Sequence, residues 1–413
     1  MDTHNISFRD LAQEEFNTPQ TLAHAAEQAV QRKYEDFTIV DIDSHHYETE
    51  SFSQILEYID DPVLRHQARF QGVGDRGITS PRGSYQEMAG RVTRYKGRGK
   101  EKTEAGGLHR DIQLTRRWMD ALGVDITCLF PTPMLSLGLT PRVEVEVALA
   151  RAYNKWLIEN VLAEEPRIKS SLYLPFNDPE ASYKMVEELG DKPGVIGFCV
   201  TAPRYKGVYD NAYSKTYGAL QERGLPLAFH SGFMWGGDRM MELCNRFIAV
   251  HALGFSWCNV VHLTNWVCNG MPERFPKLKT IWIESGLAWV PFLMQRLDNE
   301  WMMRSSEVPL LKRKPSDYMR EMYFTTQPME MVNNRKALEL TFEMMNAETQ
   351  LMYASDYPHW DMDLPSTIYD LPFVSDQGKR NILGGNAMRV FNIKPTISEQ
   401  KKQRLAARAA AAQ

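Results

Sequence analysis

Eight short apolar segments, each closing on a polar or turn-forming cluster, constrain this chain more than any other feature. They are Thr38–His45 (TIVDIDSH), Val124–Pro131, Ser170–Pro175, Val195–Val200, Leu225–His230, Leu278–Glu284, Met322–Thr326 and Gln350–Asp356. Between most of them, apolar residues recur at helical spacing: Glu144–Ala163, Ala181–Leu189, Tyr213–Glu222, Trp289–Arg304 and Asn334–Met345. Short apolar runs alternating with helices read as strands joined by crossovers. Repeated eight times, the pattern predicts an α/β fold, a (β/α)8 TIM barrel. The competing architecture is an open doubly wound sheet, but no G-x-G-x-x-G turn follows an early strand.

Three stretches stand outside the alternation. Residues 1–36 hold Leu11, Phe16, Ala23, Ala26 and Val30 at roughly helical spacing, and are read as a helical extension that packs on the barrel or on a partner. The barrel itself is assigned to residues 37–395. Within it, 66–110 is rich in Gly and Arg and follows the first strand, so it is either a solvated insertion or a lid or subunit arm. Residues 396–413 (KKQRLAARAAAAQ at the end) form helix readily but show little apolar face, and are read as an exposed, fraying tail.

Composition narrows the function. Of 413 residues, 43% are hydrophobic and 24% charged, and the net charge is −4. That is a globular chain without the basic excess that coats nucleic acid. No apolar run reaches the ~20 residues of a membrane span, so membrane and nucleic acid are not expected partners. The mixed, acidic start (MDTHNISFRDLAQEEF) reads as neither signal nor transit peptide. Five cysteines form no C-x-x-C pair, as in a reduced, cytoplasmic protein. The expected partners are a small-molecule substrate and a second copy of the chain, or a related barrel subunit.

The chemistry lies where polar residues end apolar strands. Alternation along the first strand puts Asp41, Asp43 and His45 on one face and Val40, Ile42, Ser44 and His46 on the other. The apolar members of the second set suit helix packing, so Asp43 and His45 face the barrel mouth, where such enzymes place their sites. A carboxylate and an imidazole two residues apart can share one divalent cation. His230 ends the fifth strand, and Asp356 ends the eighth before a Pro-containing turn. A carboxylate buried in a barrel mouth is costly unless paired or on a metal. Glu284 follows Ile281-Trp282-Ile283 and is read as a general base, a second metal ligand or a partner of a buried cation. His262, on a helical apolar face, is either structural or a further ligand. Phe233 and Trp235, after His230, are assigned to a pocket wall or to core packing, and His359 to the substrate pocket. No G-x-S-x-G, H-E-x-x-H or Walker-type loop is present.

Together, Asp43-x-His45, His230, ERFPKLKTIWIESGLAWVPFLMQRLD (Glu273–Asp298) and ASDYPHWD (Ala354–Asp361) resemble the amidohydrolase-related family of the amidohydrolase superfamily. This branch includes aminocarboxymuconate semialdehyde decarboxylase and resorcylate-type decarboxylases. The resemblance runs over roughly 38–390. It implies one divalent metal ion (Zn, Mn or Fe) held at the mouth by Asp43, His45, His230 and Asp356.

Three departures open alternatives. The first-strand pair is D-x-H where the superfamily usually has H-x-H, and Val195–Val200 offers no bridging lysine or glutamate. Glu284 stands where the family's decarboxylases carry a histidine. With His262 or Glu48 it would hold a second metal, as in the few dinuclear Fe/Mn oxygenases of the superfamily. The leading expectation is a metal-dependent hydrolase, with Asp356, Glu284 and His262 as catalytic candidates. A non-oxidative decarboxylase on the same site, a dinuclear oxygenase and a non-catalytic partner subunit are the alternatives.

Overall fold

A computed structural model describes residues 18–71, 103–104, 106–140, 142–201, 206–232, 238–331, 334–359 and 361–411. Eight parallel strands are hydrogen-bonded in chain order. They are β1 (Val40–His46), β2 (Ile126–Pro131), β3 (Ile168–Tyr173), β4 (Val195–Val200), β5 (Leu227–His230), β6 (Thr280–Ile283), β7 (Tyr323–Thr325) and β8 (Leu351–Met352). Described helices of ten residues or more are α1 (Thr18–Gln31), α2 (Pro62–Gln71), α3 (Arg110–Leu122), α4 (Val143–Leu157), α5 (Pro179–Leu189), α6 (Ser214–Arg223), α7 (Phe247–Cys268), α8 (Trp289–Arg304), α9 (Arg335–Met344) and α10 (Glu399–Ala411). From α3 to α9, one of them enters before each new strand. This is the (β/α)8 barrel that the alternation predicts.

The strands are buried on both faces, as a parallel sheet wrapped by helices requires. Caps follow local rules. The Asp178 side chain accepts from the Glu180 and Ala181 N–H groups at the start of α5, and Asn334 accepts from Lys336 N–H at the start of α9. Between β8 and β1 the closure runs on single bonds. Ile42 N–H donates to Tyr353 O at 3.0 Å, Asp356 N–H to Asp43 O at 2.8 Å and His45 N–H to Tyr357 O at 2.7 Å. Asp41 completes the seam, its Oδ1 accepting from Ser355 N–H at 3.0 Å and Asp43 N–H at 3.1 Å. The residue thus closes the barrel, although it shares a sequence face with Asp43 and His45.

The C-terminal end corrects one expectation. At the other end, helix α1 packs on α3 of its own chain, burying Ala25 and Ala29. Helix α10 is tied down rather than frayed. Its Lys401 is 1% exposed and donates to Asp125 Oδ2 at 2.5 Å and to Phe37 O at 2.9 Å. Arg408 pairs with Glu35 and Asp36. Helical propensity alone does not reveal a buried cation whose partner lies far away in sequence. Most of the 66–110 insertion, and Arg82, Arg94 and Arg98 within it, lie outside the described residues.

Candidate metal centre

The strand ends bring three carboxylates and three imidazoles together. Asp43 and His45 come from β1, His230 from the last position of β5, Glu284 from the residue after β6, and Asp356 and His359 from the segment after β8. His45 Nε2 lies 3.2 Å from Asp43 Oδ1 and 3.3 Å from Asp356 Oδ1. His230 Nε2 is 3.2 Å from the same Asp43 oxygen, and its Nδ1 is 3.5 Å from Glu284 Oε2. Asp43, His45, His230 and Glu284 each offer one ligand atom within 4.8 Å of the others, and so do His45, Asp356 and His359. All but His359 are buried.

The imidazoles are oriented for ligation. His45 Nδ1 lies 2.9 Å from Pro131 O, and His230 Nδ1 lies 2.7 Å from Ser231 O. A carbonyl only accepts, so in the neutral ring each Nδ1 carries the hydrogen and each Nε2 keeps its lone pair. Both lone pairs then face the Asp43 carboxylate, an arrangement that calls for a proton or a cation between them. Asp43 Oδ2, His45 Nε2, Glu284 Oε2 and Asp356 Oδ2 are buried with no hydrogen-bond partner. Unpaired buried polar atoms are rare and expensive. Four converging here fit a divalent cation, whose mixed N/O donors match zinc, manganese or iron.

Electrostatics point the same way. Burial drives the Glu284 carboxyl well above the usual carboxylate range, and the charges of Asp356 and Asp43 add to it. Burial also raises Asp356, with His45 opposing and Asp361 and Asp43 assisting. Asp43 runs the other way: burial pushes it up, but His230 and His45 hold it below its ordinary value. Burial lowers His45, whereas for His230 the attraction of Asp43 outweighs burial and raises it.

Backbone geometry aims two of these groups. Glu284 and Asp356 both sit at φ +55°, the left-handed region that non-glycine residues seldom adopt. Strain of this kind gathers at functional sites. Beyond Glu284, Gly286 (φ +72°) turns the chain into α8, and a Cβ there would lie 2.2 Å from Glu330 Oε1. That carboxylate accepts from the Leu287 and Ala288 N–H groups at the head of α8.

Two sequence candidates are engaged elsewhere. Glu48 uses both oxygens on backbone, accepting from Thr132 N–H at 2.9 Å and Met134 N–H at 2.6 Å. His262 lies on α7 with its ring 6.1 Å from that of Phe229. Adjacent strand residues face opposite ways, so His262 packs behind β5, on the side away from His230. Burial lowers its pKa to about 4. Neither residue joins a metal-binding group among the described residues. His46 also faces outward, 2.8 Å from Tyr153 Oη and stacked on Trp156. Phe233 and Trp235 lie outside the described residues.

His359 is closer to the centre than a pocket wall. Its Nδ1 lies 2.6 Å from Asp356 Oδ1 and its ring stacks on His45 at 4.3 Å. Sequence reading passes over His251, whose Nε2 lies 3.6 Å from Asp361 Oδ2. Nothing in its apolar helical setting marks it, and only the D in HWD hints at a partner.

The amidohydrolase family model matches residues 42–393, so the chain belongs to the amidohydrolase family. Its members of this type are metal-dependent enzymes with hydrolase or carboxy-lyase chemistry. The chain is 24% identical to the gamma-resorcylate decarboxylase of Polaromonas sp. (strain JS666 / ATCC BAA-500), over 68% of this chain and 88% of that one. It is 23% identical to the 2-amino-3-carboxymuconate-6-semialdehyde decarboxylase of Dictyostelium discoideum, over 66% and 74%. In fold it matches the dihydroxybenzoic acid decarboxylase of Polaromonas sp. JS666, solved with manganese and the inhibitor 2-nitroresorcinol. The TM-score is 0.57 at 19% identity, covering 86% of this chain and 97% of that one. These relatives reverse the order of the sequence-based expectations, since they are decarboxylases and not hydrolases.

Proposed function

We propose that the protein is a metal-dependent carboxy-lyase that removes a carboxylate from a small hydroxylated aromatic acid. The observation that carries this reading is the convergence of Asp43, His45, His230 and Asp356 in a chain whose curated relatives are decarboxylases. Those four residues would hold the cation, with Glu284 and His359 beside them. When bound, the ion supplies a Lewis-acid contact for the substrate carboxylate and a neighbouring ring oxygen.

The remaining chemistry falls to the chain. Glu284, buried beside His230, gives a proton to the ring carbon that bears the carboxylate. A C–H bond forms there, the C–C bond to the carboxylate breaks, and its electron pair returns to the ring as CO2 leaves. Glu284 then takes a proton from water to restore the acid. His359 orients Asp356 through the contact at 2.6 Å. Cys128, Cys199, Cys258 and Cys268 are free thiols, which supports a cytoplasmic setting. Among the described residues no helix is long and apolar enough to cross a membrane.

The test is incubation of manganese-loaded protein with 2,6-dihydroxybenzoate and 5-carboxyvanillate, following CO2 release, metal content and oxygen uptake. Stoichiometric CO2 without oxygen uptake is the expected result. Hydrolysis of amides or lactones with no CO2 from either acid, or oxygen consumption with two metal equivalents, would overturn the reading.

A further inference from the structure

Among the described residues β7 gives no ligand to the candidate centre, yet its last residue holds the acid beside it. The Thr325 side chain is buried, and its Oγ1 accepts from Glu284 N–H at 3.1 Å. Strand β6 pairs with β7 at Ile281–Tyr323 and Trp282–Phe324, and the register ends there. Beyond it a hydroxyl takes the place of the carbonyl that a continuing ladder would offer to Glu284 N–H. The same Oγ1 donates to Gln327 O just past its own strand, a long contact at 3.5 Å. A hydroxyl carries one hydrogen, so that contact leaves a lone pair for Glu284. On the β8 side, Thr326 accepts from Ala354 N–H at 3.0 Å.

We propose that Thr325 is a positioning residue for Glu284: its hydroxyl holds the Glu284 N–H and so keeps that residue in the left-handed conformation that aims the carboxyl at the substrate. The inference rests on the carboxy-lyase reading, in which Glu284 delivers the proton. Glu284 sits at φ +55°, where a non-glycine residue stays only if its surroundings impose it. Restraints reach the turn from two sides. From α7, Ser256 Oγ donates to Ser285 O at 2.7 Å and Asn259 Nδ2 to Ser285 Oγ at 3.1 Å. Those bonds fix the residue after Glu284, whereas Thr325 bonds to Glu284 itself. On the Glu284 side chain, Oε2 lies 3.5 Å from His230 Nδ1 and has no hydrogen-bond partner. The direction of the carboxyl is therefore set chiefly by the backbone that carries it. Threonine suits the task, since its branched Cβ restricts χ1 and keeps the hydroxyl in place. Proton transfer to carbon is sensitive to that aim, because a displacement of ~1 Å costs about 10²-fold in rate.

Thr325→Val keeps the volume and removes the hydroxyl. A buried N–H left unpaired lowers stability whatever its role, so the decisive readouts are kinetic. With manganese-loaded protein and the acid that the wild type decarboxylates, kcat should fall about 10²-fold. KM should stay within ~2-fold, and metal content should not change. Thr325→Ser should recover most of kcat. In a Glu284→Gln background Thr325→Val should cost nothing further, since both changes remove the same aimed proton donor. Ser182→Ala loses a buried hydroxyl bonded to Pro175 O at 3.0 Å near the start of α5, and should lower stability while keeping kcat. If Thr325→Val does not fold, Thr325→Cys replaces it and must lower kcat in the same way, because a thiol is a weak acceptor. An unchanged kcat, a loss confined to KM, no recovery with serine, lost manganese or a full additional loss in the Glu284→Gln background would overturn the proposal. No CO2 from the wild-type protein would overturn the carboxy-lyase reading instead, and crystal structures then decide. In Thr325→Val, Glu284 must leave the left-handed region, and an unmoved Glu284 would overturn the role of Thr325.

Discussion

At the end of the barrel where the strands begin, Asp125 is buried beside Lys401. Its oxygens accept from Ile39 N–H at 2.8 Å, Ser398 N–H at 2.7 Å and the Lys401 ammonium at 2.5 Å. At the end where the strands finish, Asp43, Glu284 and Asp356 are equally buried, yet each keeps an oxygen with no partner. Burial shifts Asp125 upward and Lys401 downward, but every contact in that pair is made within the chain. The difference separates two uses of buried charge. A completed network fixes one element on another, whereas unpaired atoms that converge leave room for a cation and a substrate. It also follows the division of labour in such barrels, with stability at the bottom face and chemistry at the top.

The largest effect expected from breaking this contrast is at the mouth. His230→Ala should lose the bound metal, by plasma emission analysis, and at least ~10³-fold in turnover, with the dichroism spectrum intact. Retained metal at wild-type stoichiometry would remove His230 from the ligand set. Glu284→Gln keeps the size of the side chain and removes its proton exchange. Turnover should fall roughly 10²–10³-fold while metal content holds, and wild-type rates would show that another group supplies the proton.

At the opposite end, Lys401→Met leaves Asp125 buried without its cation. Chemical denaturation should show a loss of about 3–5 kcal/mol, while turnover per folded molecule stays near wild type. Glu146 sharpens the comparison through pH. Burial raises its carboxyl to about 7, against hydrogen bonds from Asn177 and Tyr173. Its folded pKa thus exceeds the unfolded value, so the native state binds the extra proton. That contribution is fully present at low pH and is lost as pH rises through about 7. Wild-type stability should decline from pH 5 to pH 8 more steeply than that of Glu146→Gln, and parallel curves would refute the assignment. The smallest effect is expected at His262→Phe, which should keep metal stoichiometry and turnover and change stability by less than ~1.5 kcal/mol. Loss of a metal equivalent there would restore a dinuclear site.

Much of the architecture is legible along the chain. The segments read as Val195–Val200 and Trp289–Arg304 coincide with β4 and α8, because apolar spacing at periods of 2 and 3.6 is a local property. The eighth strand is shorter than read, Leu351–Met352, and Asp356 follows it at φ +55° rather than in extended backbone. Strand-end position also pointed to Asp43, His45, His230, Glu284 and Asp356. Sequence left His262 open between a structural role and a ligand, and offered Glu48 as a second-metal ligand, because residue type does not tell which side of a strand a helix will cover, or which backbone N–H groups will reach a carboxylate.

The sequence alone settled what depends on near neighbours: the alternation of strand and helix, the absence of a basic excess, and the polar residues ending apolar strands. Tertiary structure decided everything that depends on distance between remote segments. Asp43 meets His230 and Asp356 only because closure brings β1 beside the β8 end and across from β5. Lys401 becomes structural only because Asp125 waits beneath the barrel. The physical reason is shared: a carboxylate's role is set by what surrounds it once water is removed, and that environment is assembled by folding rather than written beside it in the chain.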